Sequence, residues 1–137
     1  MAQCFHSASE LSGVFETLFK TILSNSRFGD KVKDLGKNLR FNFNDPNAEI
    51  TIALDKGKWS VKSGPGNIEA DIEFWLSGDS AHRLWSGKVT PISAIMSREI
   101  RAKGPIRAMN EIASLFASSQ DIYRKTLKKL GREDLLP

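Results

Sequence analysis

The sequence predicts an α+β protein, a five-stranded, mainly antiparallel sheet with helices packed on one face. Three observations predict it. Apolar residues recur at three- and four-residue steps towards both ends of the chain but at two-residue steps between residues 39 and 76, so helices flank a block of strands. The strand-like segments follow one another across short turns instead of alternating with helices, which argues against a βαβ sheet. Each strand has one apolar and one polar face, as expected of a sheet covered on one side.

The first helix is announced by Ser7-Ala8-Ser9-Glu10, the spacing of a capping box, in which serine and glutamate satisfy free backbone N–H groups. Leu11, Val14, Phe15, Leu18, Phe19, Ile22 and Leu23 then share one face. A polar, glycine-flanked stretch predicts a brief helical turn near residues 29–36. From there the period is two. Leu39, Phe41 and Phe43 alternate with polar residues; Asp45-Pro46-Asn47 turns the chain into Ile50, Ile52 and Leu54; Lys56-Gly57 turns it into Trp59 and Val61. After Gly64-Pro65-Gly66, one long strand is predicted with Ile68, Ala70, Ile72, Phe74 and Leu76 inward and Glu69, Asp71, Glu73 and Trp75 outward. These four strands are expected to run antiparallel. Ser77 caps a two-turn helix with Ala81, Leu84 and Trp85 inward, and Thr90-Pro91 starts a second short helix expected to bury Ile92, Ile95 and Met96. Ile100 and Ala102 alternate with Arg101 and Lys103 in a fifth strand. Gly104-Pro105 then opens a last, long helix, bearing Ile106, Met109, Ile112, Ala113, Phe116, Tyr123, Leu127 and Leu130 inward, with a bend expected near Ser118-Ser119.

At 137 residues, 40% apolar and 26% charged, the chain fits one folded domain spanning residues 1–137, with residues 119–137 as a basic helical extension. No run reaches the ~20 apolar residues of a membrane span and no signal peptide opens the chain, so a cytoplasmic location is expected. The single Cys4 has no disulfide partner and reads as an inert thiol near a loose end. The formal charge of +4 is concentrated: residues 98–132 hold nine Lys/Arg against three acids, a local +6. Such a face attracts nucleic acid, anionic membranes or acidic ligands, or is simply solvated.

Catalytic chemistry finds no support. His6 and His82 form no metal-ligand spacing, and His82 reads as a surface helix residue. G-x-S-x-G elbows, P-loops and dinucleotide fingerprints are missing. Glu69, Asp71 and Glu73 read as cross-strand partners of lysines, not as acid/base pairs. Neither a metal nor a cofactor is expected. Nucleic acid is not an expected partner either, because the aromatics face inward apart from Trp75. What stands out is an apolar surplus: the inward residues either fill a core completely or leave a slot between the layers.

Residues 71–115 supply a resemblance. An alternating acidic strand, Ser77 at a helix start, Leu84, Gly87-Lys88, Pro91, Ala94, Met96, a strand ending Lys103-Gly104 and a helix with Met109 follow in an order similar to the second half of the sterol carrier protein type 2 family. The plan of the first half extends the likeness to roughly residues 8–117. The resemblance implies helices and sheet enclosing an apolar tunnel for fatty acid, acyl-CoA, sterol or isoprenoid lipid, with no covalent catalysis. The ending Asp134-Leu135-Leu136-Pro137 lacks the small-basic-aliphatic peroxisomal signal, in keeping with a cytoplasmic carrier. Candidate tunnel residues are Phe15, Leu18, Phe19, Ile72, Phe74, Ile95, Met96, Met109, Ile112 and Phe116, each equally suited to plain core. Arg98, Arg101, Lys103 and Arg107 either meet a lipid head group or face water. The expected partners are a lipid or fatty-acyl ligand and, through the basic C-terminal half, transient contact with an anionic membrane. A second reading is an accessory module that docks a protein partner or presents a hydrophobic intermediate such as a quinone precursor, using Trp75 and the basic tail.

Overall fold

The computed structural model describes residues 3–66 and 68–136, with the side chains of residues 26, 27, 116 and 117 left out of the description. Helix α1 (Ala8–Ser24) starts as its capping spacing predicts: the Ser7 hydroxyl accepts the Glu10 N–H at 3.1 Å. The glutamate reaches back to the N–H of His6, 3.3 Å away, one residue beyond the usual capping-box partner. Helix α2 (Ser26–Leu35) begins three residues earlier than its polar pattern suggests. It folds back on α1 through Gly29, where an added Cβ would collide with the Leu23 carbonyl.

Strands β1 (Leu39–Asn44), β2 (Ala48–Asp55) and β3 (Lys58–Ser63) form the predicted antiparallel meander, and β4 (Ile72–Ser77) and β5 (Ile100–Lys103) complete a five-stranded sheet in the order β3-β2-β1-β4-β5. Three of the four pairings are antiparallel; β4 runs parallel to β1, Phe41 beside Phe74, which corrects the expectation of four antiparallel strands. The reason is topological. The chain leaves β3 at one edge, and the vacant side of β1 lies two strands away, so residues 64–66 and 68–71 lie across the outer face of the sheet on the way to it.

That crossing shortens the predicted fourth strand, which begins at Ile72 and not at Ile68; Ile68 is exposed. The Arg40 guanidinium donates to the Ile68 carbonyl, Glu49 accepts the Gly66 N–H at 2.7 Å, and Asp71 accepts the Asn38 N–H at 2.8 Å. Thr51 and Ala53 are buried beneath it, so the outer face is partly covered where a wholly wet face is expected. The acidic row therefore anchors backbone and amides. Glu73 stands opposite Lys103 in register yet accepts from the Asn42 amide at 3.2 Å, and among the described residues no ion pair forms on Glu69, Asp71 or Glu73.

On the inner face, α1 lies over β2 and β3, while α3 (Gly78–Trp85), α4 (Pro91–Met96) and α5 (Ile106–Ser118) close the β4–β5 side. The expected bend is a break: α6 (Gln120–Lys129) is a separate helix packed on α1. Ser119, at the break, accepts the Trp85 indole N–H at 3.2 Å inside the core. Beneath α1 the core is aromatic. Phe15 has Phe5, Phe43, Trp85 and Tyr123 with ring centroids 5.3–5.8 Å away, and Phe19 stacks on Phe41 at 4.7 Å.

Cys4 is tied down where a loose end is expected. Its N–H donates to Asp79 at 2.9 Å, and its carbonyl accepts from Arg132 at 2.9 Å. Arg132 also binds the carboxylates of Glu10 and Asp134, so one guanidinium clasps the segment before α1, α1 itself and the turn after α6.

Candidate functional site: an apolar cavity under the short helices

A cavity of about 20 Å³ lies between the sheet and the short helices. Its floor is Phe41 of β1, Phe74 and Leu76 of β4, and Ile100 of β5; its walls are Leu84 and Trp85 of α3, Pro91 and Ile95 of α4, and Met109 and Ala113 of α5. Every lining residue is apolar. The floor follows from register: Phe41 and Phe74 are neighbours on the inner face, as are Leu76 and Ile100. The walls follow from caps. Ser77 accepts the Ser80 N–H at 3.0 Å and Thr90 the Ser93 N–H at 3.1 Å, which sets where α3 and α4 begin.

At this volume the cavity has room for about one water, while drug-sized ligand pockets run to several hundred cubic ångströms. The layers are therefore closed on each other. A long apolar ligand enters only if wall residues part.

The ten sequence candidates separate into groups. Phe74, Ile95 and Met109 border the cavity. Phe15, Leu18 and Phe19 are fully buried on the inner face of α1, and Ile72 and Ile112 are equally buried, none of the five lining the cavity. Met96 is 80% exposed, and the side chain of Phe116 is outside the described residues. The expectation that α4 buries Ile92, Ile95 and Met96 is corrected: Ile92 is 66% exposed, Ile95 is 39% exposed, and the buried residue is Ala94. Ala94 occupies the face towards the sheet, and residues two positions away on either side point roughly 200° from it. Ile106 is likewise exposed, at 75%, where an inward position is expected. Sequence reasoning missed Phe41, Leu76, Leu84, Trp85, Pro91, Ile100 and Ala113 as lining. Most were recognised as inward; which inward residues meet a gap depends on how α4 and α5 sit over β4 and β5.

His82 is the other correction. It is 6% exposed, with Nδ1 2.8 Å from the Tyr123 hydroxyl and Ser86 Oγ within 3.4 Å of both ring nitrogens. It is covered because α6 lays Tyr123 across α3. Burial, reinforced by Lys88, lowers the His82 pKa, and burial raises that of Tyr123. None of the three lines the cavity, so the cluster packs α6 onto α3. Burial, followed by the bond to Asp79, pushes the Cys4 thiol up to about 11, which leaves it protonated and poorly nucleophilic at neutral pH. Among the described residues no group of three or more His, Cys, Asp or Glu could hold a metal ion, and no helix is long and apolar enough to cross a membrane.

On the outer face, Trp75 is half-buried with the Arg101 guanidinium 5.9 Å from its ring centroid. The indole is thus capped by a neighbouring strand's cation.

A sequence profile of the SCP-2 sterol transfer family matches residues 15–117, which include every residue around the cavity. The chain belongs to that family. The SCP-2 family is in general one of non-catalytic lipid carriers, and lipid binding or transfer is the activity that membership supports. No curated protein matches the chain. Solved structures share the fold. The sterol carrier protein domain 2 of Helicoverpa armigera is 20% identical with a TM-score of 0.64, covering 80% of this chain and 89% of its own. The apo form of sterol carrier protein 2 from Yarrowia lipolytica is 21% identical with a TM-score of 0.58, covering 83% and 92%. A structure described as the UbiJ-SCP2 ubiquinone synthesis protein is 19% identical with a TM-score of 0.58, covering 78% and 88%.

Proposed function

We propose that this SCP-2 protein carries a single acyl, sterol-like or isoprenoid lipid, whose hydrocarbon part occupies an expanded form of the cavity under α3, α4 and α5. The observation that carries this reading is the lining: ten side chains, all apolar, around a gap at a helix–sheet seam. Each methylene transferred there gains about 0.8 kcal/mol, so a chain of ten offers about 8 kcal/mol against the cost of parting the layers. No polar lining group fixes a head group inside, so selectivity among hydrocarbons is loose. Phe74, Ile95 and Met109 are the contacts we assign from the sequence candidates, with Leu84, Trp85 and Ala113 beside them. Met109 suits a wall that must change shape, since methionine adapts its rotamers to different neighbours.

Native mass spectrometry of gently purified protein tests the reading: one bound lipid mass per chain is expected, together with saturable uptake of a fluorescent fatty acid at micromolar concentration. A bare protein mass combined with no fluorescent uptake overturns it. The fold shared with a ubiquinone synthesis protein favours a second reading, in which the cargo is a quinone precursor held for another enzyme. An isoprenoid-quinone mass in the same spectrum selects that reading, and a fatty-acid mass rejects it.

A further inference from the structure

The sheet has an open edge on the side away from the cavity. In the order β3-β2-β1-β4-β5, the cavity floor takes β1, β4 and β5, and β3 has a neighbour only in β2. Gly64 donates its N–H to the Glu49 carbonyl at 2.8 Å, which sets the alternation along this antiparallel pair. Lys58, Ser60 and Lys62 bond to β2 through their backbones, while the backbone N–H and C=O groups of Trp59, Val61 and Ser63 point outward. No strand among the described residues meets those groups. They are a template for one more strand.

Two further observations lie along the same edge. Between β3 and the C-terminal half of α1 runs an open groove of about 640 Å³, walled by Lys20 and Leu23 on the helix and by Lys58, Trp59 and Val61 on the strand. An extended segment laid there fills the angle between a strand edge and a helix, and main-chain bonds to the edge hold it, as in peptide capture by strand addition. In the groove wall the Trp59 indole Nε1 is buried with no hydrogen-bond partner among the described residues. A buried donor left unanswered is costly, and an incoming segment can bring the missing acceptor.

Charge selects the occupant. Residues 56–62 hold three lysines and no acid, and Lys58 and Lys62 are exposed with no ion pair among the described residues. Lys20 is already paired with Glu16 at 2.8 Å, so the unanswered charge belongs to the strand itself. A second copy of the chain fits badly. When two β3 edges pair antiparallel, every register that joins their outward groups sets lysine against lysine, directly or on the diagonal. An acidic strand turns the same positions into favourable cross-strand pairs. We propose that an extended segment of another protein, alternating acidic and apolar residues, adds as a strand to β3. Its backbone bonds to Trp59, Val61 and Ser63, its carboxylates face Lys58 and Lys62, and its apolar side enters the groove beside α1. The site is across the sheet from the cavity, so it does not depend on the carrier reading.

Fluorescence anisotropy of the full chain with a labelled peptide of alternating valine and glutamate tests the docking. Saturable binding that weakens as salt is raised is expected, with none for a valine–lysine peptide. Lys58→Glu/Lys62→Glu is expected to lower affinity for the acidic peptide about tenfold or more, and Lys128→Glu/Lys129→Glu to leave it nearly unchanged. All four lysines are exposed, and an unchanged thermal midpoint confirms that each variant folds. N-methylation of the valines and of the glutamates strips opposite edges of the peptide and needs no change to the protein. One of the two is expected to abolish binding and the other to spare it, whichever way the strand runs. Amide exchange followed by NMR reads the register: the N–H groups of Trp59, Val61 and Ser63 slow on adding peptide, and the Trp59 indole resonance shifts. Absence of saturable binding overturns the proposal, as do equal effects of the two N-methylations, an unchanged affinity in Lys58→Glu/Lys62→Glu, or protection that appears away from β3. Protection of the three amides that grows with protein concentration, without peptide, overturns it in favour of a second copy of the chain.

Discussion

Met109→Ala removes a wall without touching the floor. Met109 is half-buried on α5, and the substitution deletes three heavy atoms from the edge of the cavity. A fully buried Met→Ala change costs about 2–5 kcal/mol; half-burial reduces this to roughly 1–2 kcal/mol. For a chain of this size that is a fall in Tm of about 4–8 °C in the lipid-free protein. The space released suits about two extra methylenes of a ligand, a gain of about 1.6 kcal/mol or roughly 15-fold in affinity. Thermal unfolding and fluorescent-probe displacement across a series of fatty acids separate the two effects. The variant is expected to be less stable alone, yet to prefer a fatty acid about two carbons longer than the parent does. A uniform loss of affinity at every chain length, or an unchanged preference, would refute the assignment of Met109 to the ligand wall.

Two predictions concern the structure that supports the cavity. Arg132→Ala opens the clasp on Glu10, Asp134 and the Cys4 carbonyl. The loss of charge-assisted bonds at a partly buried site costs about 1.5–3 kcal/mol, read as a lower urea midpoint; Arg132→Lys recovers only part, because an ammonium cannot reproduce the planar fork. A midpoint unchanged in both variants would show that the clasp contributes nothing. Acidification probes His82, whose pKa is lowered from 6.5 chiefly by burial. The unfolded chain binds the proton more readily, so the contribution of the neutral ring is complete above pH 6.5 and is lost as pH falls through that value towards the folded one. Urea midpoints from about pH 7.5 to about pH 5.5 are expected to decline in the parent and to be flatter in His82→Gln; parallel profiles would exclude His82 as the cause.

The sequence was readable wherever one local period governed one local face. The Ser7, Ser77 and Thr90 caps, the alternation of Leu39, Phe41 and Phe43, and the stripe from Leu11 to Ile22 all appear where their spacing places them. It was unreadable where a long-range partner decided the outcome. Nothing within Ile68–Ser77 says that its first four residues cross the sheet to reach the far side of β1, because that follows from which strand has a free edge. Nor does the helix bearing His82 disclose that Tyr123, forty-one residues later, covers the ring. In α4 the failure is one of length: six residues are under two turns, too few for a repeat to mark one face, and it is Ala94 that is buried while Ile92, Ile95 and Met96 are exposed. Of the cavity, the inward membership of Phe74, Leu84, Trp85, Ile100 and Met109 was legible, whereas the gap among them is a property of how the layers meet.

The interruption at Ser119 divides labour along what the periodicity suggests is one rod. The part after it is riveted to the interior by Tyr123 and Leu127, both fully buried, and by the Arg132 clasp just beyond its end. The part before it bears Met109 and Ala113 over the cavity, and Trp85 holds the joint itself through Ser119. A continuous helix would have to tilt as a lever, dragging its anchored half out of the aromatic core. With the joint, the carrier proposed above would need only the short helices over the cavity to part, while the anchored half keeps its place in the aromatic core.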